Sequence, residues 1–434
     1  MGEGQEEPRT FERVKRVAES ISERHGEPAW MLKKRMEAVE ALKKVKEIEL
    51  PLEWKEIIVE IEEKPRAYRW EDVPEEIRKK LDEIGIPEAE KKQLAGLGAQ
   101  YNYAVVYSHL KEWAEKEGII LEDMKTAVKR YEKIVKKHFG TLVKPNNFGA
   151  ALNTALWSGG VFLLIPKGKK VRLPIQGFFY ISREGIAQFE RSMVIVEEGG
   201  EVEYIEGCTA PVWHKFSLHA GCVEVFVKKD ARLKFTTIQN WSKNVVNLAN
   251  KRARLEENAY AKWVSGMLGS KLTMAYPTIE LAGDGAKTEG ISVSFAGKGQ
   301  RQDTGIKVLH MGKNTSSKIT SKSVSKDGGE AIYRGYVFSP HKKMKSFVKC
   351  DSLILNDGIA KSFPVAEGEA NINHEARVGR VSDEILFYLR SRGFSEKEAL
   401  GLVVNGFVDE FMKELKIEFA LEFYKLLKME IEGG

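Results

Sequence analysis

Residues 231–238 read ARLKFTTI, and relatives of that octet return along the middle of the chain: GEVEYIEG at 200–207, AYAKWVSG at 259–266, AKTEGISV at 286–293, TSSKITSK at 315–322 and IAKSFPVA at 359–366. The first five begin 27 to 31 residues apart. Most follow a short polar or glycine-containing turn: EEGG, KKDA, EENA, GDGA, GKNT and LNDGI. A period of that size is the mark of stacked coils, each burying its inward residues against the next. A two-sheet sandwich of unrelated strands, the competing reading, has no reason to keep it. A parallel β-helix core is therefore expected over 141–375, and its open ends, which expose unpaired backbone groups, need covers.

The flanks have a different character. PAWMLKKRMEAVEALKKVKEI (28–48) places Met31, Leu32, Met36, Val39 and Leu42 at helical spacings, and YNYAVVYSHLKEWAEKEGI (101–119) and EDMKTAVKRYEKIVKKHFG (122–140) read as more of the same. Between them, residues 50–77 look like an irregular, partly extended connector. The tail returns to helix: Ser382 before Asp383 and Glu384 reads as a cap, Gly393 as a stop, and Ser395 with Glu398 as a capping box. Leu400, Val403, Val404, Phe407, Val408 and Phe411 form an apolar stripe, expected to pack on the chain's own core, with a partner's groove as the alternative reading. The expectation is three regions: a helical 1–140, the β-helix of 141–375 and a helical 376–434, making a mainly β protein whose core is flanked by helices.

Composition excludes several functions. The formal charge of +6 is small against 69 basic and 63 acidic residues, and the basic ones are dispersed, which speaks against nucleic acid. No run approaches the roughly eighteen apolar residues of a membrane span, and the start shows no apolar segment behind its charges. Three cysteines among 434 residues argue against a disulfide framework and for a reducing, cytoplasmic setting. There is no G-x-x-x-x-G-K-[ST] loop, so ATP hydrolysis is not expected of this chain, and no G-x-S-x-G or H-E-x-x-H. A carbohydrate-active β-helix would need exposed carboxylates and aromatics on one coil face; no such cluster is evident.

Chemistry is concentrated around the cysteines. In FVKCDSLILNDG (347–358) strand alternation puts Cys350, Ser352 and Ile354 on one face. A buried cysteine is often only a small hydrophobe. Here, however, ANINHEARVG follows about one coil later, and its His374 and Glu375 add an imidazole and a carboxylate. Thiolate, imidazole and carboxylate are all ligands that iron accepts, and a thiolate also carries persulfide sulfur. A second group, Cys208, His214, His219 and Cys222, superficially suggests zinc, but its cysteines bracket the histidines and form no close pair. Gln239, Asn240 and Trp241 are an unusual polar and aromatic group in a strand; core satisfaction and a polar passage through the coil are both open readings.

Across these motifs the chain resembles the SufB/SufD family of iron-sulfur cluster assembly proteins, and within it the SufB branch. The likeness runs through PAWMLKKRMEAVEAL, PNNFGAALNTALWSGGVFLLIPKG, QFERSMVIVEEGGEVEYIEGCTAP, LHAGCVEVFVKKDARLKFTTIQNW, KCDSLIL, NHEARVGRVSDEILFYLRSRG and NGFVDEF, covering most of the chain. NHEA and LVVNGF point to the SufB branch, since SufD members usually lack both the cysteine at 350 and the acid at 375.

The resemblance implies a right-handed parallel β-helix with helical ends. It also implies a non-enzymatic scaffold that takes sulfur mobilised by a cysteine desulfurase, combines it with iron and works with the ATPase SufC. By the same likeness Cys350, Glu375 and His374 build and transiently ligate the nascent cluster. Cys208 corresponds to the sulfur-receiving thiol, and Gln239, Trp241 and Lys251 to the interior route toward Cys350. The C-terminal helices correspond to the SufC docking region, and the partner across the β-helix is a second copy or a SufD paralogue. A flavin as electron source stays open. The alternative is a SufD-like structural partner with no cluster site of its own. Two departures stand out: Tyr180, Ile181 and Ser182 occupy the place of an Arg-x-Asn pair common in relatives, and no cysteine precedes Cys208. Cluster ligands must then include non-cysteine groups or come from another chain.

Overall fold

The computed structural model describes residues 3–51, 66–67, 69–83, 94–211, 214–369 and 371–432. Most of the connector expected at 50–77 lies outside these described residues. The first five repeat octets are strands stacked in parallel in one ten-stranded sheet, whereas the sixth, IAKSFPVA, falls in Ile359–Gly368, which pairs with Glu330–Ser339 in the other sheet. Arg232–Trp241 pairs in register with Glu201–Thr209 on one side and Tyr260–Gly269 on the other. Lys287–Ala296, Ser316–Lys326, Lys345–Leu355 and Asn371–Arg380 continue the ladder, one strand per coil. A second, thirteen-stranded sheet closes the coils from the other side, giving a parallel β-solenoid of about seven turns.

Side-chain alternation sorts each strand into an inner and an outer set. In Arg232–Trp241 the inner set is Leu233, Phe235, Thr237, Gln239 and Trp241, all buried, while Arg232 is exposed. Register then stacks like on like. Tyr204, Phe235 and Trp263 occupy equivalent positions of successive coils, with Phe235 and Trp263 parallel at 4.2 Å. The quoted turns explain how each coil changes direction: Asp230, Asn258, Gly285, Asn314 and Asn356 all have φ between 51° and 72°. Those residue types adopt this left-handed conformation at least cost.

One helical expectation is overturned. YNYAVV onward forms part of a hairpin, Gly96–Tyr101 with Ala104–Leu110, whose first strand pairs in parallel with Ile175–Tyr180 and so extends the ten-stranded sheet. Valines and tyrosines suit a strand that can borrow a sheet edge, and tertiary pairing outweighs a helical-looking spacing. Extended strands therefore reach from Gly96 to Arg380 among the described residues.

The two ends are covered differently. Helices Glu3–His25, Ala29–Leu42 and Phe148–Leu156 close the first coils as part of the main core. They are tied down by buried Arg35, which donates to both Glu27 oxygens at 2.6 and 2.8 Å and to the carbonyls of Ala155 and Trp157 at 2.9 Å. At the other end, Glu396–Met412 lies on the outer face of the ten-stranded sheet, its Leu400, Val404, Val408 and Phe411 packed on Val264, Ile291, Val293 and Phe295. The caps read from sequence are present: Ser382 accepts from Ile385 N, and Ser395 and Glu398 form a capping box. These helices take a side seat because that face is apolar. The last coil keeps Ile359, Phe363, Val365 and Val378 exposed at 44%, 47%, 46% and 53%.

Candidate functional site

Inside the solenoid, alternation points Glu206 and Cys208 inward on one strand and Thr237, Gln239 and Trp241 inward on the next, with Glu206 opposite Thr237 and Cys208 opposite Gln239. The four residues assigned by resemblance to sulfur receipt and transfer meet here. Gln239 Nε2 lies 3.0 Å from Cys208 Sγ and 2.9 Å from Thr237 Oγ1, and its Oε1 accepts from Trp241 Nε1 at 2.9 Å. Lys251, entering from the second sheet, donates to Thr237 Oγ1 at 3.1 Å and is paired with Glu206. Burial, reinforced by Glu206 and opposed by Lys251, pushes the Cys208 thiol well above its ordinary range.

Sequence reasoning missed part of this cluster. His219 joins it not as a zinc ligand but through Nδ1 to Asn247 at 2.8 Å, Nε2 to Glu190 at 2.8 Å and a 4.4 Å ring contact with Trp241. The available signal was the two-residue spacing of Glu206 and Cys208, which forces a shared face. The zinc reading fails on geometry: Cys222 packs outside with Val143 and Ala150, and His214 is exposed. Among the described residues no group of three or more His, Cys, Asp or Glu side chains could hold a metal ion.

Toward the open end, one inward row reads Glu206, Thr237, Ser265, Ser292, Ser321 and Cys350, each opposite the next. Five strand steps of about 4.8 Å carry it roughly 24 Å. Ser292 Oγ donates to Ser321 Oγ at 3.0 Å. Cys350 is 3% exposed, and its Sγ lies 3.6 Å from His374 Nε2 on the terminal strand. Burial pushes the Cys350 thiol up to about 12, opposed by the neighbouring Tyr333 hydroxyl and reinforced by Asp351. Tyr333 was not singled out from sequence. Glu375 does not join this pair: it sits opposite Lys349 on the other face of the strand and is ion-paired with Arg377. Lys349 likewise turns outward, 3.4 Å from Asp351. Tyr180 and Ser182 lie beside the hairpin turn, where Asn102 Nδ2 donates to Ser182 Oγ at 2.9 Å and Asn102 N donates to the Tyr180 carbonyl at 2.8 Å.

Fold and site together define a thiol-bearing parallel β-solenoid, with one thiol sealed inside and another beside an open last coil. Comparison with known proteins narrows that class. Residues 179–407 match the profile described as SUF system FeS cluster assembly, SufBD core domain, and residues 95–176 match the SufBD protein N-terminal region. The iron-sulfur cluster assembly protein SufB of Bacillus subtilis (strain 168) is 45% identical over 437 residues, covering 97% of this chain and 93% of that protein. SufBD family proteins of Staphylococcus aureus (strain MRSA252) and Staphylococcus saprophyticus are each 45% identical over 434 residues, covering 96% of this chain and 93% of theirs. The chain belongs to the SufB/SufD family of iron-sulfur cluster assembly proteins, in its SufB branch. No helix among the described residues is long and apolar enough to cross a membrane.

Proposed function

We propose that this chain is the scaffold on which a nascent iron-sulfur cluster is built, in the cytoplasm, with sulfur received at Cys208 and iron met at Cys350. In the first step the Cys208 thiolate attacks the outer sulfur of a donor persulfide; the new S–S bond forms as the donor thiolate leaves. Lys251 and Gln239 favour the thiolate that burial opposes. The inward row of Thr237, Ser265, Ser292 and Ser321 supports an interior passage, since polar side chains replace the aliphatic filling a solenoid core otherwise prefers. The observation that carries the reading is the 3.6 Å approach of Cys350 to His374 at the uncovered coil.

One copy offers too few ligands there, so the cluster is assigned to a seam with a second copy or a SufD paralogue, where Glu375 can join. Such labile, mixed ligation suits a cargo that must be released. The C-terminal helices carry Phe387 and Tyr388 at 76% and 56% exposure, which supports docking of the SufC ATPase; its closure would twist the paired scaffolds and open the buried thiols. Anaerobic reconstitution of Cys350→Ala with iron and sulfide tests the proposal: loss of the charge-transfer absorption is expected, and unchanged cluster loading removes Cys350 from the mechanism.

A further inference from the structure

On the outer face of the thirteen-stranded sheet, far in role from the interior thiols, one registered row runs Glu224, Arg252, Thr278, Lys307, Tyr336 and Val365. Arg252 and Lys307 flank Thr278, their backbones about 10 Å apart by the spacing of parallel strands. The charges around them are matched. Glu224 accepts from the amides of Gly140, Leu142 and Val143 and pairs with Arg191. Asp303 accepts from Tyr276 Oη at 2.6 Å and from Arg334 at 2.7 and 3.0 Å. Arg254 forks onto Glu280. Arg252 and Lys307 themselves have no hydrogen bond or ion pair among the described residues.

Two uncompensated positive charges thus share one half-buried row. Lys307 Nζ lies 5.5 Å from the Tyr276 ring centroid, and burial, then Arg252 and Arg334, hold its pKa below the ordinary lysine value. Like charges in a partly desolvated place are unfavourable unless an anion joins them. The Thr278 hydroxyl between them makes only a 3.4 Å contact with the Tyr276 carbonyl.

We infer that Arg252, Thr278 and Lys307 form a binding site for a phosphate group on the outer face of the solenoid. Two cations call for roughly −1.5 to −2 of charge, which a phosphate carries at neutral pH and a single carboxylate does not. The division of labour fits the side chains: the guanidinium can take two oxygens in a fork and the ammonium a third as a point charge. The hydroxyl completes the set. The phosphate comes either free or on a small ester.

The test is calorimetric titration of the full chain, in oxyanion-free buffer at constant ionic strength, with orthophosphate in one arm and glycerol 3-phosphate in the other. Saturable binding at one site is expected, together with a phosphate-dependent rise in Tm. Tighter orthophosphate binding assigns the free ion, and tighter ester binding assigns the ester. Arg252→Gln and Lys307→Gln should each weaken binding at least tenfold, whereas Lys318→Gln, on the other sheet, should not. Without phosphate, Lys307→Gln should melt no lower than the parent, because it removes a repelled charge, so lost binding cannot be put down to misfolding. Absence of any heat or Tm shift beyond that of chloride, or undiminished binding in both variants, overturns the inference.

Discussion

Gln239 holds the Cys208 thiol with one end of its amide and the Trp241 indole with the other, at 3.0 and 2.9 Å. The Cys208 thiol and a large buried aromatic are therefore oriented by one side chain.

Replacing Gln239 by Leu should leave the indole N–H of Trp241 buried without an acceptor and cost about 1–3 kcal/mol. Thermal or urea unfolding measures the loss. Glu at this position should retain the acceptor for Trp241 but abolish the donor to sulfur, lowering sulfur acceptance more than a stability change explains.

Lys251 and Glu206 are a buried pair at 4% and 0% side-chain exposure. Lys251→Met strands the carboxylate and should destabilise the fold by about 3–5 kcal/mol, while the double variant Lys251→Met/Glu206→Gln should recover a good part of that. A double variant no more stable than the single one would show that the pair is not coupled in this way.

His310 offers a pH test away from the thiols. Burial lowers its pKa to about 4, and both ring nitrogens are engaged, by Thr315 at 2.8 Å and Ser317 at 2.9 Å. Between about pH 6.5 and 4 the unfolded chain binds a proton at this site that the folded chain does not. Its contribution is therefore complete above pH 6.5 and is lost as pH falls toward 4, by about 3 kcal/mol in total. Stability measured across that window should fall less steeply for His310→Gln than for the parent.

Phe411 and Phe423 pack with their rings tilted at 53° and centroids 4.9 Å apart over Gly266, where a Cβ would come within 2.7 Å of the Phe423 ring. Phe411→Ala should cost about 3–5 kcal/mol. Limited proteolysis should then release the C-terminal helices while the solenoid persists.

The exposed Phe363 and Val365 of the last coil lie where a second subunit is proposed to stack. Val365→Lys should shift the mass of the purified protein from a pair toward a single copy without lowering Tm; an unaltered mass would move the seam elsewhere.

The repeat was legible because each coil asks for the same thing. Asp230, Asn258 and Asn314 mark corners in sequence as they do in space, and octets 27 to 31 residues apart become strands in register. The hairpin Gly96–Leu110 was not legible, since its conformation depends on a sheet edge supplied by Ile175–Tyr180, distant in the chain.

Among the site residues, local alternation alone set Cys350 on the same face as Ser352, and Cys208 on the same face as Glu206. Which groups then meet across coils was decided by tertiary register: Val348, not Cys350, stands opposite His374, so the ring leans two residues along to reach sulfur, and Glu375 turns outward with Arg377. A chain dictates its own two-residue periodicity through covalent geometry, but the offset between strands comes from packing of the whole stack, which no short motif contains.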